Sequence, residues 1–229
     1  MKNLISLFVI ALTLVFTSCE KETPIELPEN PYNYLGEQHN TKMTEFKTQY
    51  GEEFDRIEHP LEAETFIFEK IYEDKETGFN DFSDAKERLD ISPETPISSF
   101  NFMNASILCD VLELPPAIQD IICPTTVALM AVDGNTDEGN AEIHRIIRDV
   151  EVKLIENHQF DNGYPTAMAF LAVAKYSADL NQGTRASDKP KWWQIVLADA
   201  AGAGLGMLAG GGTALPMAVG FSAAVTKVP

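Results

Sequence analysis

Three cysteines and four histidines are the side chains best suited to covalent or metal chemistry in this 229-residue chain. Cys109 and Cys123 flank Pro115-Pro116, a turn between two helices. In an oxidising compartment their thiols can close a loop worth about 3 kcal/mol in the chain-entropy view. The other reading is two buried thiols acting as small hydrophobes. His39, His59, His144 and His158 have no partner at a zinc spacing such as HExxH, so they form no metal-ligand set. Asp133, Asn135 and Asp137 match the first, third and fifth ligand positions of an EF-hand loop, where alternating hard oxygens face one Ca²⁺. Glu138, however, stands where that loop needs Gly, and His144 where it needs a bidentate Glu. Asp133-Gly134-Asn135 therefore reads as a helix stop, with Asn140 as the next helix's cap. Gly204, Gly206 and Ala209 imitate a dinucleotide fingerprint with no strand before them. There is no GxSxG elbow or P-loop, and no carboxylate pair stands out from the acidic background. No catalytic residue, metal or cofactor is expected, which leans the reading away from an enzyme.

The amino terminus carries more specific chemistry. Lys2 precedes an apolar run from Leu4 to Val15 and the small stretch Thr17-Ser18-Cys19, the layout of a secretory signal. Phe16-Thr17-Ser18-Cys19 resembles the lipobox of bacterial lipoproteins, with Phe where Leu is commoner. The resemblance implies that residues 1–18 are removed, that the Cys19 thiol takes a diacylglycerol, and that the new amino terminus is acylated. Three chains at about 0.8 kcal/mol per buried CH₂ make an effectively permanent anchor. Glu20-Lys21-Glu22 resembles the export signal of Bacteroidota-type surface lipoproteins, which implies the outer membrane and an outward-facing domain. Residues 19–34, with Pro24, Pro28 and Pro31, read as a lipidated, semi-extended tether. Asn30-Pro31-Tyr32, Leu35-Gly36 and His39-Asn40 resemble the start of the mature domain in uncharacterised lipoproteins of that group, which implies lineage and no activity.

Positioning is left to helices. Apolar residues make up 45% of the chain, enough for a sizeable core over residues 35–229. Met43, Phe46, Tyr50 and Phe54 make one helical stripe. Pro60 starts a helix carrying Phe68, Ile71 and Tyr72 and ending at Gly78, and Asn80 to Leu89 gives a short third. Phe100, Met103, Ile107 and Val111 form the next stripe, and a helix from Pro116 should break or restart near Pro124. Asn140 to His158 repeats Ile143, Ile147, Val150 and Leu154 at helical spacing, with Arg145, Arg148, Glu151 and Glu156 pointing elsewhere. Thr166 to Leu180 is Ala-rich. With no sustained period-two alternation, the expected fold is an all-α irregular bundle.

Net charge is −18, and −19 once Lys2 leaves with the signal. A field of that sign excludes nucleic acid as a partner, because phosphate binding needs a basic footprint. Residues 20–99 hold 21 acidic and 8 basic side chains, so the excess lies nearest the anchor and reads as a solvated face. The carboxy-terminal stretch is the opposite: Ala200 to Thr226 has no charge and holds 7 of the 14 glycines. Gly202, Gly206 and Gly210 recur every fourth residue, a spacing that grooves a helix for close packing and resembles the glycine-zipper tails of membrane-active hairpins such as two-peptide bacteriocins. Gly210-Gly211-Gly212 and Pro216 divide it, so neither half spans a bilayer, and a hairpin within 190–229 follows. Trp192-Trp193 suits a core anchor or an interfacial belt.

Two functions stand on these features. The first is a lipid-anchored cell-envelope protein, held to the membrane through its lipid, whose non-catalytic helical domain meets a protein partner. The second is a membrane-perturbing, toxin-like lipoprotein that acts through its glycine-rich tail.

Overall fold

The computed structural model describes residues 28–71, 82–134, 136–182 and 192–227. Among them are nine α-helices and no strand, an irregular all-α bundle. In chain order the helices are α1 (Asn33–Asp55), α2 (Pro60–Ile71), α3 (Ser83–Arg88), α4 (Ala105–Val111), α5 (Pro116–Met130), α6 (Asp137–His158), α7 (Tyr164–Asn181), α8 (Trp192–Leu208) and α9 (Ala214–Val225). A 3₁₀ turn, Ile97–Ser99, precedes α4.

The helices begin where local chemistry starts them. The Asn104 side chain accepts from the Ile107 amide at 3.2 Å to cap α4, Thr136 accepts from Gly139 at 2.9 Å to cap α6, and Pro116 and Pro165 supply the preset first turns of α5 and α7. The α6–α7 turn needs Gly163, whose φ is +85°.

The hairpin α8–α9 forms the centre. α7 and α1 pack on one side of it, while α2 and the 3₁₀ turn lie against α9. α6 backs α7, and α5 and α4 follow outward. Every residue from Val196 to Gly206 is buried, as is every residue from Thr166 to Ala174. Helices covered on all sides must be apolar all round, which is why Ala200 to Thr226 carries no charged side chain. Phe221 of α9 meets Phe82 and Phe102 at 5.8 Å each, so an aromatic wedge seats the loop before α4 on the hairpin.

Several expectations need correction. Pro124 does not break α5; the Thr125 and Thr126 hydroxyls bond back to the Ile121 and Ile122 carbonyls around it, and a buried Ile118, Ile121, Ile122 and Leu129 face holds both halves. Phe100 and Met103 precede α4 rather than lying on it. Asn140 is inside α6, and Thr136 is the cap. Glu151 is buried and not solvent-facing. Tyr72, Gly78 and Asn80 lie outside the described residues.

Candidate functional site: a sealed polar cluster between four helices

α1 lays Leu35, His39, Met43 and Phe46 on its inner face, so helical spacing places an imidazole in an apolar stripe. Asp199 is a lone acid in the buried run of α8. α7 presents Ser177 and Asn181, one turn apart, and α9 presents Ser222. Of these five side chains the most exposed is Asn181, at 4%. Ser177 Oγ donates to Asp199 Oδ2, and Asn181 Nδ2 donates to Ser177 Oγ at 3.2 Å and to the Ser177 carbonyl at 2.9 Å. His39 Nε2 stands 3.4 Å from Asp199 Oδ2 without the alignment of a hydrogen bond, and His39 Nδ1 is 3.1 Å from Asn40 Oδ1. Asp199 Oδ1 also has no partner.

Burial disfavours charge on both groups. Desolvation lowers the His39 pKa to about 4, against the Asn40 bond, with Lys47 adding to the fall. Desolvation raises the Asp199 pKa to about 8, while the Ser177 and Ser222 hydroxyls and Lys47 pull it down. At neutral pH the pair therefore holds one proton and no net charge.

Ser, His and Asp in one cluster invite comparison with a hydrolytic triad. The order is wrong for that: Ser177 bonds to the carboxyl and not to the imidazole, so no base stands ready to take its proton. The arrangement seals polar side chains of α1, α7, α8 and α9 together, with the Ser177 hydroxyl tying α7 to Asp199 of α8.

Two other buried ion pairs are structural. Glu151 is fully buried and accepts from Asn30 Nδ2 at 2.8 Å and from Lys175 Nζ at 3.1 Å. Asn30 also bonds to the Met168 carbonyl, and Lys175 to Asn33. Asn30 and Asn33, assigned to the tether on sequence, are thus parts of the domain. Gly36 admits the Tyr176 ring and the Ala172 carbonyl, and Asn40 Nδ2 donates to the Tyr176 carbonyl at 2.7 Å. The Asn30-to-Asn40 segment quoted for its lineage is therefore the surface that docks α1 on α7. Lys86 Nζ lies 2.7 Å from Glu64 and 3.0 Å from the Pro93 carbonyl, and Glu64 also accepts the Ile97 amide. A shallow hollow beside Lys86, lined by Ser83, Glu87, Asp90 and Pro93, finds that cation already taken.

The other candidates from sequence separate. Cys19, Glu20, Lys21 and Glu22 lie outside the described residues. Cys109 and Cys123 are joined as a disulfide, with their Cα atoms 6.0 Å apart. Gly202 and Gly206 face α9, where a Cβ would run into the backbone of Met217 and Ala218 or of Thr213 and Ala214. Gly210 does not share that face; it turns the chain between α8 and α9 at φ +112°, with nothing within 4 Å of a built Cβ. Gly134 accommodates the Trp192 ring, and Trp193 Nε1 donates to the Val132 carbonyl at 3.2 Å, so both tryptophans dock α8 on the α5–α6 loop. Asp137 opens α6 and accepts from Gln182, while Asn135 lies outside the described residues.

His144 pairs with Asp179 at 2.7 Å and His158 with Asp161 at 2.8 Å, both at the surface. Burial pushes Asp179 up, but hydrogen bonds from His144 and Asn140 outweigh it and hold the carboxyl below its ordinary value. Among the described residues no group of three or more His, Cys, Asp or Glu side chains could hold a metal ion. Nor is any described helix long and apolar enough to cross a membrane.

The His39–Asp199 pair escaped the sequence reading. Its signals were present: an imidazole four residues from Leu35 and from Met43, and one carboxyl in an Ala/Gly run. What was missing was the knowledge that those two faces meet. No protein-family model matches the chain, and neither curated proteins nor solved structures give a significant match.

Proposed function

We propose that this is a cell-envelope lipoprotein, lipidated on Cys19 and held to the outer membrane with its domain facing outward, which works as a non-catalytic protein-interaction module. The Lys2, Leu4-to-Val15 and Thr17-Ser18-Cys19 layout supports the address, with Glu20-Lys21-Glu22 as the export signal. The observation that carries the module reading is the burial of the glycine-rich hairpin: Val196 to Gly206 are all inside the domain, so the tail is used as core. Phe160, 92% exposed between α6 and α7, and Val127, 56% exposed on α5, offer apolar contacts to a partner.

Cys19→Ala followed by cell fractionation tests the address. The protein should leave the membrane fraction, and retention there overturns the assignment. The toxin-like reading requires the hairpin to leave the core. Dye-loaded anionic vesicles exposed to the full chain should stay sealed. Leakage caused by the chain from Glu20 onward would favour the effector instead.

A further inference from the structure

Between α1 and the glycine-rich hairpin two buried titratable side chains, His39 and Asp199, face each other at 3.4 Å. We infer that His39 and Asp199 act as a one-proton latch, and that losing the proton in mildly alkaline solution frees α8 and α9 from α1 before the rest of the domain opens. The geometry supplies the latch. Both side chains are fully buried, they come from helices that meet only by tertiary packing, and each keeps one ring or carboxyl atom without a partner, His39 Nε2 and Asp199 Oδ1. The departing proton leaves on α8 a carboxylate that keeps the Ser177 hydroxyl on Oδ2, has no partner on Oδ1 and faces a neutral imidazole.

The neighbours offset that charge only in part. The Ser177 hydroxyl of α7, itself held by Asn181, and the Ser222 hydroxyl of α9 favour the carboxylate, but desolvation outweighs them, and neither supplies a positive charge. The charged Lys175 and Asp179 of α7 are engaged with Glu151 and His144. On α1, Lys47 is the cation that acts on both members, and it is exposed. Hydrating the ionised Asp199 therefore requires α8 to part from its neighbours.

The sign follows from proton counts. An opened pair exposed to water titrates at the ordinary values, 6.5 for His and 3.8 for Asp, whereas the closed pair titrates at about 4 and about 8. Between about pH 4 and 6.5 both states hold one proton and closure is insensitive to pH. From 6.5 to about 8 the closed state alone holds it, so closure weakens as pH rises, then levels off. The opening constant should rise about twentyfold between about pH 6 and 8.5.

Hydrogen exchange read by mass spectrometry on the full chain, corrected for the intrinsic pH dependence of exchange, measures this. Amides of α8, α9 and the Leu35–Met43 part of α1 should lose protection by that factor, while those of α5, behind its disulfide, keep theirs. Asp199→Asn, which is isosteric with the protonated acid, leaves only the imidazole to titrate, so its opening constant should fall about fourfold over the same pH step instead of rising. Should that variant fail to fold, His39→Gln serves: with the imidazole gone, closure weakens from the acid side onward and the same pH step gives about seventyfold. Equal loss of protection in every helix, or an unchanged response in either variant, overturns the latch.

Discussion

Replacing Gly202 by Ala sets two opposing effects against each other at one atom. Gly to Ala in a helix interior is favourable by about 1 kcal/mol through backbone entropy. At Gly202 the new methyl would stand 2.5 Å from the Met217 carbonyl oxygen and 2.9 Å from Ala218 Cα, both backbone atoms of α9 that no rotamer change can move. Overpacking a filled core costs about 1–3 kcal/mol, and here the whole of α9 must shift, so the upper half applies. The net expectation is a loss of about 1–2 kcal/mol, or roughly 2–8 °C in Tm for a domain of this size. Gly206→Ala meets the backbone of Thr213 and Ala214 and should behave alike. Gly212→Ala has nothing within 4 Å and no positive φ, so it should be neutral or stabilise by up to about 1 kcal/mol. Thermal melts at pH 6, on the level part of the latch's profile, compare the three. If Gly202→Ala melts at or above the parent, α8 and α9 do not meet backbone to backbone, and the account of the hairpin fails.

Glu151→Ala strands Lys175 and Asn30 and should cost about 3–5 kcal/mol in urea unfolding, more than Glu151→Gln, which keeps an acceptor for Asn30. Opening the Cys109–Cys123 disulfide with a reductant should cost about 3 kcal/mol, as the loop spans 14 residues in sequence, and the double Cys→Ala variant should match it. Burial raises the Glu64 carboxyl, against the hydrogen bond from Lys86. The folded chain thus keeps that proton to a higher pH than the unfolded one, and this group's contribution to stability falls as pH rises through the gap. Lys86→Met should extend the fall to higher pH; a stability profile parallel to the parent's would show that the pair is not coupled.

Helix existence was legible because its signals are local: a 3.6-residue apolar stripe in α6, Pro at the starts of α5 and α7, and glycines in the turn after α8. Pro124 misled for an instructive reason. The rule that Pro breaks a helix concerns one lost amide and one clash, while the buried isoleucine face and the threonine hydroxyls act over the whole of α5. Glu151 misled differently, since a carboxyl on a helix reads as solvent-facing until its partners are known. Those partners, Asn30 and Lys175, lie 121 and 24 residues away.

Composition and periodicity were sufficient to determine an acidic, all-helical chain with an uncharged, glycine-spaced tail, because each depends on residue type and short-range geometry. The tertiary structure alone decided which polar groups would be sealed together. Whether His39 is an ordinary surface imidazole or half of a one-proton pair depends on Asp199, 160 positions along the chain, being carried to it on another helix. Desolvation is a property of that assembled surrounding, and no spacing within α1 or α8 encodes it.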